Sequence, residues 1–224
     1  MRRFLHENSL GLVFGLLFLA ALAGQAFAGH AFFNQQQLNE GLQPISLGRY
    51  LTSASFAVNV TENWQSEYLQ FFLYILLTVW LLQKGSPESG GLDQAGRESD
   101  EDQLVGARAS ASSPAWAKAG GLRQALFSHS LGLALGVGFV LSWLAQSISG
   151  VAAYNEQQLG NLQDPVSWGQ YLLQPDFWNR TLENWESELL AVSTMVVLSI
   201  YLRQRGSSQS KPVGAAHTST GTED

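Results

Sequence analysis

Two short elements of nearly identical sequence carry the carboxylates that could do chemistry in this 224-residue chain. Residues 62–67 read Glu-Asn-Trp-Gln-Ser-Glu, and residues 183–188 read Glu-Asn-Trp-Glu-Ser-Glu. The last glutamate of each element, Glu67 or Glu188, follows a tryptophan by three residues and adjoins an apolar segment. An ionisable side chain at that depth in a membrane is costly, so we expect it to point into a helix bundle or a water-filled cavity.

A candidate polar cluster is expected around these carboxylates. Gln25 and Gln146 lie at a similar depth in the apolar segment before each element. We therefore expect Gln25 beside Glu67, and Gln146 beside the equivalent glutamate of the second element. The predicted cluster comprises Gln25, Asn63, Ser66, Glu67, Gln146, Asn184, Ser187 and Glu188.

Three interpretations of this cluster are open. In the structural interpretation, the carboxylates complement a helix dipole and hydrogen-bond the neighbouring amides and hydroxyls. In the second, Glu67 and Glu188 approach each other and bind a proton or a cation. In the third, the cluster and the adjoining loops form an external binding patch. A transport path would also need polar residues deeper in the helices, where the segments are almost entirely apolar.

The chain repeats itself around these elements. Residues 9–86 align without a gap onto residues 130–207 at a constant offset of 121, and 30 of the 78 aligned pairs are identical. Polar positions that both copies keep are therefore the candidates for shared structure or chemistry. Small residues one turn apart let helices approach closely in lipid. The helix-packing residues expected for this reason are Gly11, Gly15, Gly132 and Gly136.

Four apolar segments predict an all-α integral membrane protein with four transmembrane helices. They cover residues 10–28, 68–82, 131–148 and 189–202. At a rise of ~1.5 Å per residue, the first matches the ~30 Å bilayer core. The shorter segments reach it when their helices begin at Trp64 and Trp185, the expected interfacial anchors. Arg2-Arg3 and the first segment also resemble a secretory signal peptide, but the internal copy of that segment favours a retained helix.

The basic residues predict the orientation. Of the twelve Lys and Arg residues, only Arg49 and Arg180 lie between the two helices of a repeat; Arg97 and nine others lie in the N-terminus, the linker and the C-terminal region. The positive-inside rule therefore predicts cytoplasmic N and C termini and two external loops. Because both helices of a repeat return to the same side, the two repeats are expected to be parallel.

The domain organisation follows from these segments. The predicted parts are repeat 1 (1–84, with an outer loop at 30–61), a linker (85–121), repeat 2 (122–206, with an outer loop at 151–182) and a tail (207–224). Each loop holds a proline followed by apolar residues at helical spacing, which predicts a short helix lying in the interface. The Ser- and Gly-rich linker and tail are expected to be disordered.

Composition and motifs disfavour several classes of function. The absence of cysteine excludes disulfides and thiol catalysis. The four histidines lie at unaligned positions, so no metal site is expected. No catalytic motif, cofactor-binding loop or basic patch for nucleic acid is present. We expect no catalytic residue and no cofactor; the expected partners are the lipid bilayer and either a second copy of the chain or another membrane protein.

Five stretches of the chain carry a family resemblance. They are Asn8-Ser9-Leu10, Gly24-Gln25, Gln83-Lys84-Gly85-Ser86, Tyr154-Asn155-Glu156-Gln157 and Glu183-Asn184-Trp185-Glu186-Ser187-Glu188. At these residues the chain resembles a family of small bacterial membrane proteins, the domain of unknown function numbered 6766. The resemblance covers both repeats but not the linker or the tail. It implies a multi-pass protein of the bacterial inner membrane, and it implies no activity.

The sequence thus predicts a non-enzymatic scaffold or accessory protein with a structured extracytoplasmic face. The alternative is a small proton or cation transporter or channel that uses Glu67 and Glu188. A membrane enzyme is disfavoured because no nucleophile–base pair is recognisable.

The predicted topology can be tested cleanly because the chain has no native cysteine. Single cysteines placed in the 30s and the 150s should react with an impermeant thiol reagent added outside intact cells, because they lie in the predicted external loops. Single cysteines in the 90s and the 210s should react only after the cells are made permeable. Labelling of the linker from outside would contradict the topology.

Overall fold

The protein is described from a computed structural model that covers residues 2–93, 95–96 and 98–221. Arg97, one of the linker cations, lies outside the described residues, as do the last three residues of the predicted tail. Every regular element within the described residues is a helix. The all-α prediction is therefore confirmed.

Four long helices and five short ones make up the described part of the chain. In order they are α1 (Arg2–Glu7), α2 (Ser9–Asn39), α3 (Leu47–Leu51), α4 (Ala54–Leu77), α5 (Ala115–Lys118), α6 (Leu122–Ser128), α7 (Ser130–Gly160), α8 (Trp168–Tyr171) and α9 (Pro175–Tyr201). A 3-10 turn, Gly106–Arg108, lies in the predicted linker. Short helices α3 and α8 occupy the two segments in which the sequence predicts them.

Helix boundaries match between the two aligned copies. Helices α2 and α7 have 31 residues each and begin 121 residues apart, at Ser9 and Ser130. Helices α3 and α8 also begin at aligned positions, as do α4 and α9. The starts of α4 and α9 coincide although their signals differ: the Ser53 hydroxyl accepts from the Phe56 N–H at 3.2 Å before α4, whereas α9 begins with Pro175.

The long helices extend well into the segments predicted as outer loops. Helix α2 continues through the glutamine-rich sequence that precedes Asn39, because glutamine is a good helix former and no proline occurs before Pro44. It stops just before Gly41, whose φ of +74° is a left-handed conformation that glycine adopts without strain. At the aligned position Leu162 has φ +57°, which costs a residue with a side chain roughly 1–3 kcal/mol.

The chain divides into two compact units. Unit 1 contains Met1–Val60 and Ala145–Trp168, and unit 2 contains Thr61–Leu144 and Gly169–Asp224. Helices α4 and α7 each contribute to both units. The boundaries of the sequence repeats remain a prediction.

In unit 1, one asparagine in each long helix closes the connection that follows it. The Asn34 side chain donates to the Ile45 carbonyl oxygen at 3.0 Å and accepts from the Ile45 N–H at 2.8 Å. Asn155 makes the same two bonds with Val166, at 2.9 and 2.8 Å. A side-chain amide thus pairs both backbone groups of one loop residue, as a neighbouring strand would, and fixes the connection against the helix.

Tyr50 of α3 is the centre of a small core in unit 1. It is 2% exposed, and its ring packs against those of Phe33, Phe56 and His30 at centroid distances of 5.4–5.8 Å. Its hydroxyl lies directly over Gly29 of α2, where an added methyl carbon would overlap it. The glycine therefore makes room for the tyrosine.

Glycines in unit 2 bring α7 close to α4. A Cβ added to Gly136 would lie 3.2 Å from the Phe72 ring, and one added to Gly138 would lie 2.9 Å from the Tyr68 ring. Of the four predicted packing glycines, only Gly136 has such a neighbour. The other three, Gly11, Gly15 and Gly132, have nothing within 4 Å of a Cβ position among the described residues.

Within the described residues, two helices are long and apolar enough to span a membrane, judged by length and composition. They are α2 and α7. None of the residues of α2 is buried. Helices α4 and α9 do not meet the same criterion, because each contains a copy of the polar element before its apolar half begins.

A repeated turn follows α4 and α9. The N–H groups of Gln83 and Gln204 donate to the hydroxyls of Ser89 and Ser210, at 3.0 and 2.9 Å. The glycines inside the two turns have φ of +86° and +85°. Ser89 and Ser210 are also 121 residues apart, so the correspondence between the copies continues past the aligned range.

Part of the predicted tail packs on the first of these turns. The ammonium group of Lys211 donates to the Gly85 carbonyl and to three carbonyls of the tail, at 2.5–3.2 Å. Lys211 is only 5% exposed. The Gly85 N–H in turn donates to the Thr220 hydroxyl at 2.9 Å. These bonds link the tail to the end of α4.

Gly29→Ala should destabilise the fold, because the added methyl carbon overlaps the buried Tyr50 hydroxyl. We expect a loss of about 1–3 kcal/mol, measured as a lower thermal unfolding midpoint of the purified chain in detergent. Gly24→Ala in the same helix is the matched control, since its Cβ meets open space. Adding Tyr50→Phe should recover part of the loss in Gly29→Ala. Equal midpoints for the two glycine variants would contradict the packing.

Candidate functional site

Helices α4 and α9 run side by side in the same direction within unit 2, joined by polar contacts. The Trp185 indole donates to the Gln65 side-chain oxygen at 2.8 Å. The Gln70 amide donates to the Glu188 backbone carbonyl at 3.4 Å. Gln65 is completely buried. From the first bond to the second, the residue numbers increase in both helices. The polar elements of α4 and α9 therefore face each other.

Arg180 is the centre of a charged network at the start of this contact. Its guanidinium donates to the Glu62 carboxylate at 3.2 Å and to the Asp176 carboxylate at 3.3 and 3.4 Å. The buried Tyr171 donates its hydroxyl proton to the same Asp176 carboxylate at 3.0 Å. The Arg180 and Glu62 side chains are 30% and 14% exposed, so this pair is screened by water less than a surface ion pair.

Burial controls the ionisation of these groups. Desolvation raises the pKa of Glu62 above its usual range, and the opposing attraction of Arg180 does not cancel it. The pKa of Arg180 is also raised, because the two carboxylates outweigh its own desolvation. Burial, together with the Asp176 charge, raises the pKa of Tyr171. Arg180 and Tyr171 therefore stay protonated and serve as fixed donors.

An aromatic cluster adjoins the network. Trp143 of α7 stacks on Phe139 and Phe177, with interplanar angles of 18° and 20°. It also contacts Trp178 and Trp185, at centroid distances of 6.2 and 5.9 Å. Aromatic pairs of this kind add roughly 0.5–1.5 kcal/mol each beyond the area they bury. Trp185, predicted as an interfacial anchor, is half-buried and is held in unit 2 by aromatic contacts and a hydrogen bond.

Most of the predicted polar cluster bonds to its own helices. The Ser66 hydroxyl donates to the Asn63 carbonyl at 2.8 Å, and the Ser187 hydroxyl donates to the Asn184 carbonyl at 2.9 Å. The Asn184 amide donates to the Arg180 carbonyl at 2.8 Å. These bonds connect residues three or four positions apart within one helix, so they serve the local structure.

Glu67 and Glu188 lie near enough to each other for their charges to interact. Glu67 is exposed and Glu188 is half-buried. Because α4 begins at Ala54 and α9 at Pro175, both glutamates lie more than three turns into their helices. They are therefore too far from the helix N-termini to complement the dipole, which acts within the first turn.

The two predicted glutamine partners belong to unit 1, whereas the glutamates belong to unit 2. Gln146 is completely buried and Gln25 is half-buried. The pairing of Gln25 with Glu67, and of Gln146 with Glu188, remains a prediction.

The described residues contain no group of three or more His, Cys, Asp or Glu side chains arranged to hold a metal ion. The Arg180 network consists of one cation between two carboxylates, which neutralise it. Within the described residues, the geometry at α4 and α9 thus resembles a structural polar contact between helices.

A family model described as a domain of unknown function, DUF6766, matches residues 1–222. The chain belongs to this family. The match includes the linker and most of the tail, which the resemblance seen in the sequence left out. No curated protein and no solved structure matches the chain. Membership of DUF6766 brings no known activity, so the site has to be interpreted from its own geometry.

The charged network was missed because Arg180 and Asp176, which hold it together, are not shared by the two copies, although Glu62 and Tyr171 are. Arg180 aligns with Asn59, Asp176 with Ser55, and the buried Gln65 with Glu186. Selecting polar positions kept in both copies removes such residues. The signal that could have found the network is the spacing of Asp176 and Arg180, four residues apart on one helix face.

Arg180→Gln should lower the stability of the fold, because it leaves the Glu62 carboxylate without its cation. At neutral pH we expect a loss of about 1–3 kcal/mol, seen as a lower unfolding midpoint in detergent. Without the cation, the pKa of Glu62 in the folded state rises further above its unfolded value. The loss is therefore largest at a pH above this raised pKa and shrinks as the pH falls through it.

The measurement is the difference in midpoint between wild type and Arg180→Gln, from about pH 8 to about pH 4. The double variant Glu62→Gln/Arg180→Gln is the control, because it contains no charge to titrate at this pair. A deficit that grows as the pH falls would contradict the assignment.

Proposed function

We propose that this protein is an integral membrane scaffold or accessory protein without enzymatic activity. The observation that carries the proposal is the apolar segment of α2, residues 10–28, since no residue of this helix is buried. A helix that is apolar on all sides needs lipid or another protein around it. The polar residues that both copies share support a structural role, because their bonds close loops and stabilise helices.

The proposed architecture has four transmembrane helices in two parallel helix–connection–helix repeats. Helices α2 and α7 supply two spans. The apolar halves of α4 and α9, residues 68–82 and 189–202, supply the others, with Trp64 and Trp185 near the membrane border. The common direction of α4 and α9 supports this arrangement, since parallel repeats place equivalent helices in the same orientation.

The proposed location is the inner membrane of a bacterium, with both termini in the cytoplasm. The distribution of Lys and Arg supports this orientation. The connections that contain α3 and α8 would then form an ordered external face with short helices in the interface. The proposed partners are lipid together with another membrane protein or a second copy of the chain.

A second function is proton or cation transport, and one observation favours it. The carboxylates of Glu67 and Glu188 interact electrostatically, as a shared proton or cation site would require. The apolar sequence deeper in α4 and α9 argues against a continuous path through one chain. We therefore rank transport below the scaffold.

Ion flux separates the two functions. The full chain is reconstituted into proteoliposomes that report proton and cation movement, beside Glu67→Gln and Glu188→Gln. The scaffold predicts that all three give the flux of protein-free vesicles. Flux in the wild type that both substitutions abolish would overturn the scaffold in favour of transport. Asp164→Asn is a control for loss of one negative charge outside the cluster.

A further inference from the structure

A cavity of about 520 Å³ in unit 1 concentrates polar side chains that the described part of the chain leaves uncommitted. They are Gln37, Gln43, Arg49 and Glu156. No side-chain hydrogen bond or ion pair connects any of them to a described residue. The cavity volume lies within the ~300–1,000 Å³ range of small-ligand sites.

Other polar side chains near the cavity are already satisfied. Asn34 and His30 bond to the Ile45 carbonyl, and the Ser53 hydroxyl donates to the Tyr50 carbonyl at 2.7 Å. The uncommitted donors and acceptors are thus collected on the walls of one cavity. Gln43, Arg49 and Glu156 are exposed, so a group bound there would replace water at these side chains and leave the bonds within the protein intact.

The two charges in the cavity define the ligand. Arg49 comes from α3 and Glu156 from α7, and they form no ion pair with each other. A simple anion would satisfy only the guanidinium, and a simple cation only the carboxylate. A zwitterion satisfies both. Arginine matches phosphate oxygens with two parallel N–H donors, and a carboxylate accepts from a primary ammonium group.

Apolar residues form the rest of the wall. Phe33, Leu42, Pro44 and Ile45 line the cavity beside the charged groups. This combination suits a ligand with a charged head and an adjoining apolar part. A lipid headgroup at a membrane border has this form.

We propose that the cavity binds a phosphoethanolamine group, with its phosphate at Arg49 and its ammonium at Glu156. Gln37 and Gln43 supply amide donors and acceptors to the remaining oxygens. The headgroup of phosphatidylethanolamine and free phosphoethanolamine share this chemistry, and the apolar wall favours the lipid. The lipid source rests on the proposed membrane location of the protein.

The aligned copy supplies the substitutions for a test. The position aligned with Arg49 is Gln170, and the position aligned with Glu156 is Gln35. The equivalent elements of this chain thus already hold glutamine at both positions. Arg49→Gln and Glu156→Gln should therefore fold, and an unchanged unfolding midpoint checks that they do.

Native mass spectrometry of the detergent-purified full chain compares three lipids with the same acyl chains. Phosphatidylethanolamine should bind about tenfold more tightly than phosphatidylglycerol, which has no ammonium, and than phosphatidylcholine, whose methylated ammonium cannot donate to Glu156. Arg49→Gln should weaken phosphatidylethanolamine and phosphatidylglycerol alike. Glu156→Gln should remove the preference between them.

Two further variants are controls. Glu40→Gln removes the carboxylate of the residue that follows α2, which does not line the cavity. This variant should keep the wild-type preference for phosphatidylethanolamine. Arg49→Lys keeps the charge without the paired donors, so it should recover only part of the affinity. Loss of the preference in Glu40→Gln to the same extent as in Glu156→Gln would overturn the proposal, as would equal binding of the three lipids by wild type.

Competition with soluble phosphoethanolamine distinguishes a lipid headgroup from a free soluble ligand. Displacement of phosphatidylethanolamine only at a large excess supports the lipid, and displacement at equal concentration assigns the site to the soluble compound. Lipid selectivity in detergent does not depend on topology. A failed membrane orientation would appear in the cysteine labelling, whereas a failed site would appear in the variants.

Discussion

The exposed surface of α2 is the constraint on which the rest of the structure depends. Large apolar side chains along it, such as Leu10, Phe14 and Leu16, are 74%, 65% and 66% exposed. Leaving apolar surface in water costs about 25 cal/mol per Å². Monomeric soluble proteins rarely expose contiguous apolar patches above a few hundred Å². A lipid environment removes this cost. Within the hydrocarbon layer, backbone polar groups must be satisfied inside the protein, as they are in a helix.

The connections between the helices are ordered by side chains that bond to the backbone. Asn34 and Asn155 each pair both backbone groups of a loop residue. The Ser89 and Ser210 hydroxyls accept from the N–H groups of Gln83 and Gln204 in the turns that follow α4 and α9. Short-range bonds of this kind let a connection stay ordered without a large core of its own.

The parts of the fold that depend on local sequence were predictable. The all-α class, the short helices before α4 and α9, and the equivalence of the long helices follow from apolar segments and from the offset of 121. Helix ends were not predictable from the apolar segments alone. The polar, glutamine-rich end of α2 is as helical as its apolar part, because helix propensity does not require burial. Interactions between distant residues, such as Arg180 with Glu62, leave no local signal.

Residues that the two copies share have different structural roles from residues that differ between the copies. Shared residues such as Asn34, Asn155 and Tyr50 close loops and fill the core. The cations of the charged contacts come from positions where the copies differ: Arg180 aligns with Asn59, and Lys211 corresponds to Gly90 at the same offset. The partner of Arg180, Glu62, is kept as Glu183. The aligned segments make the same loop-closing bonds, since Asn34 and Asn155 bond equivalent loop residues. A second copy of a charged contact is not needed for folding, so one copy can change. Charged residues present in only one copy are therefore the better place to look for specific binding in this protein, although selecting for shared residues discards them.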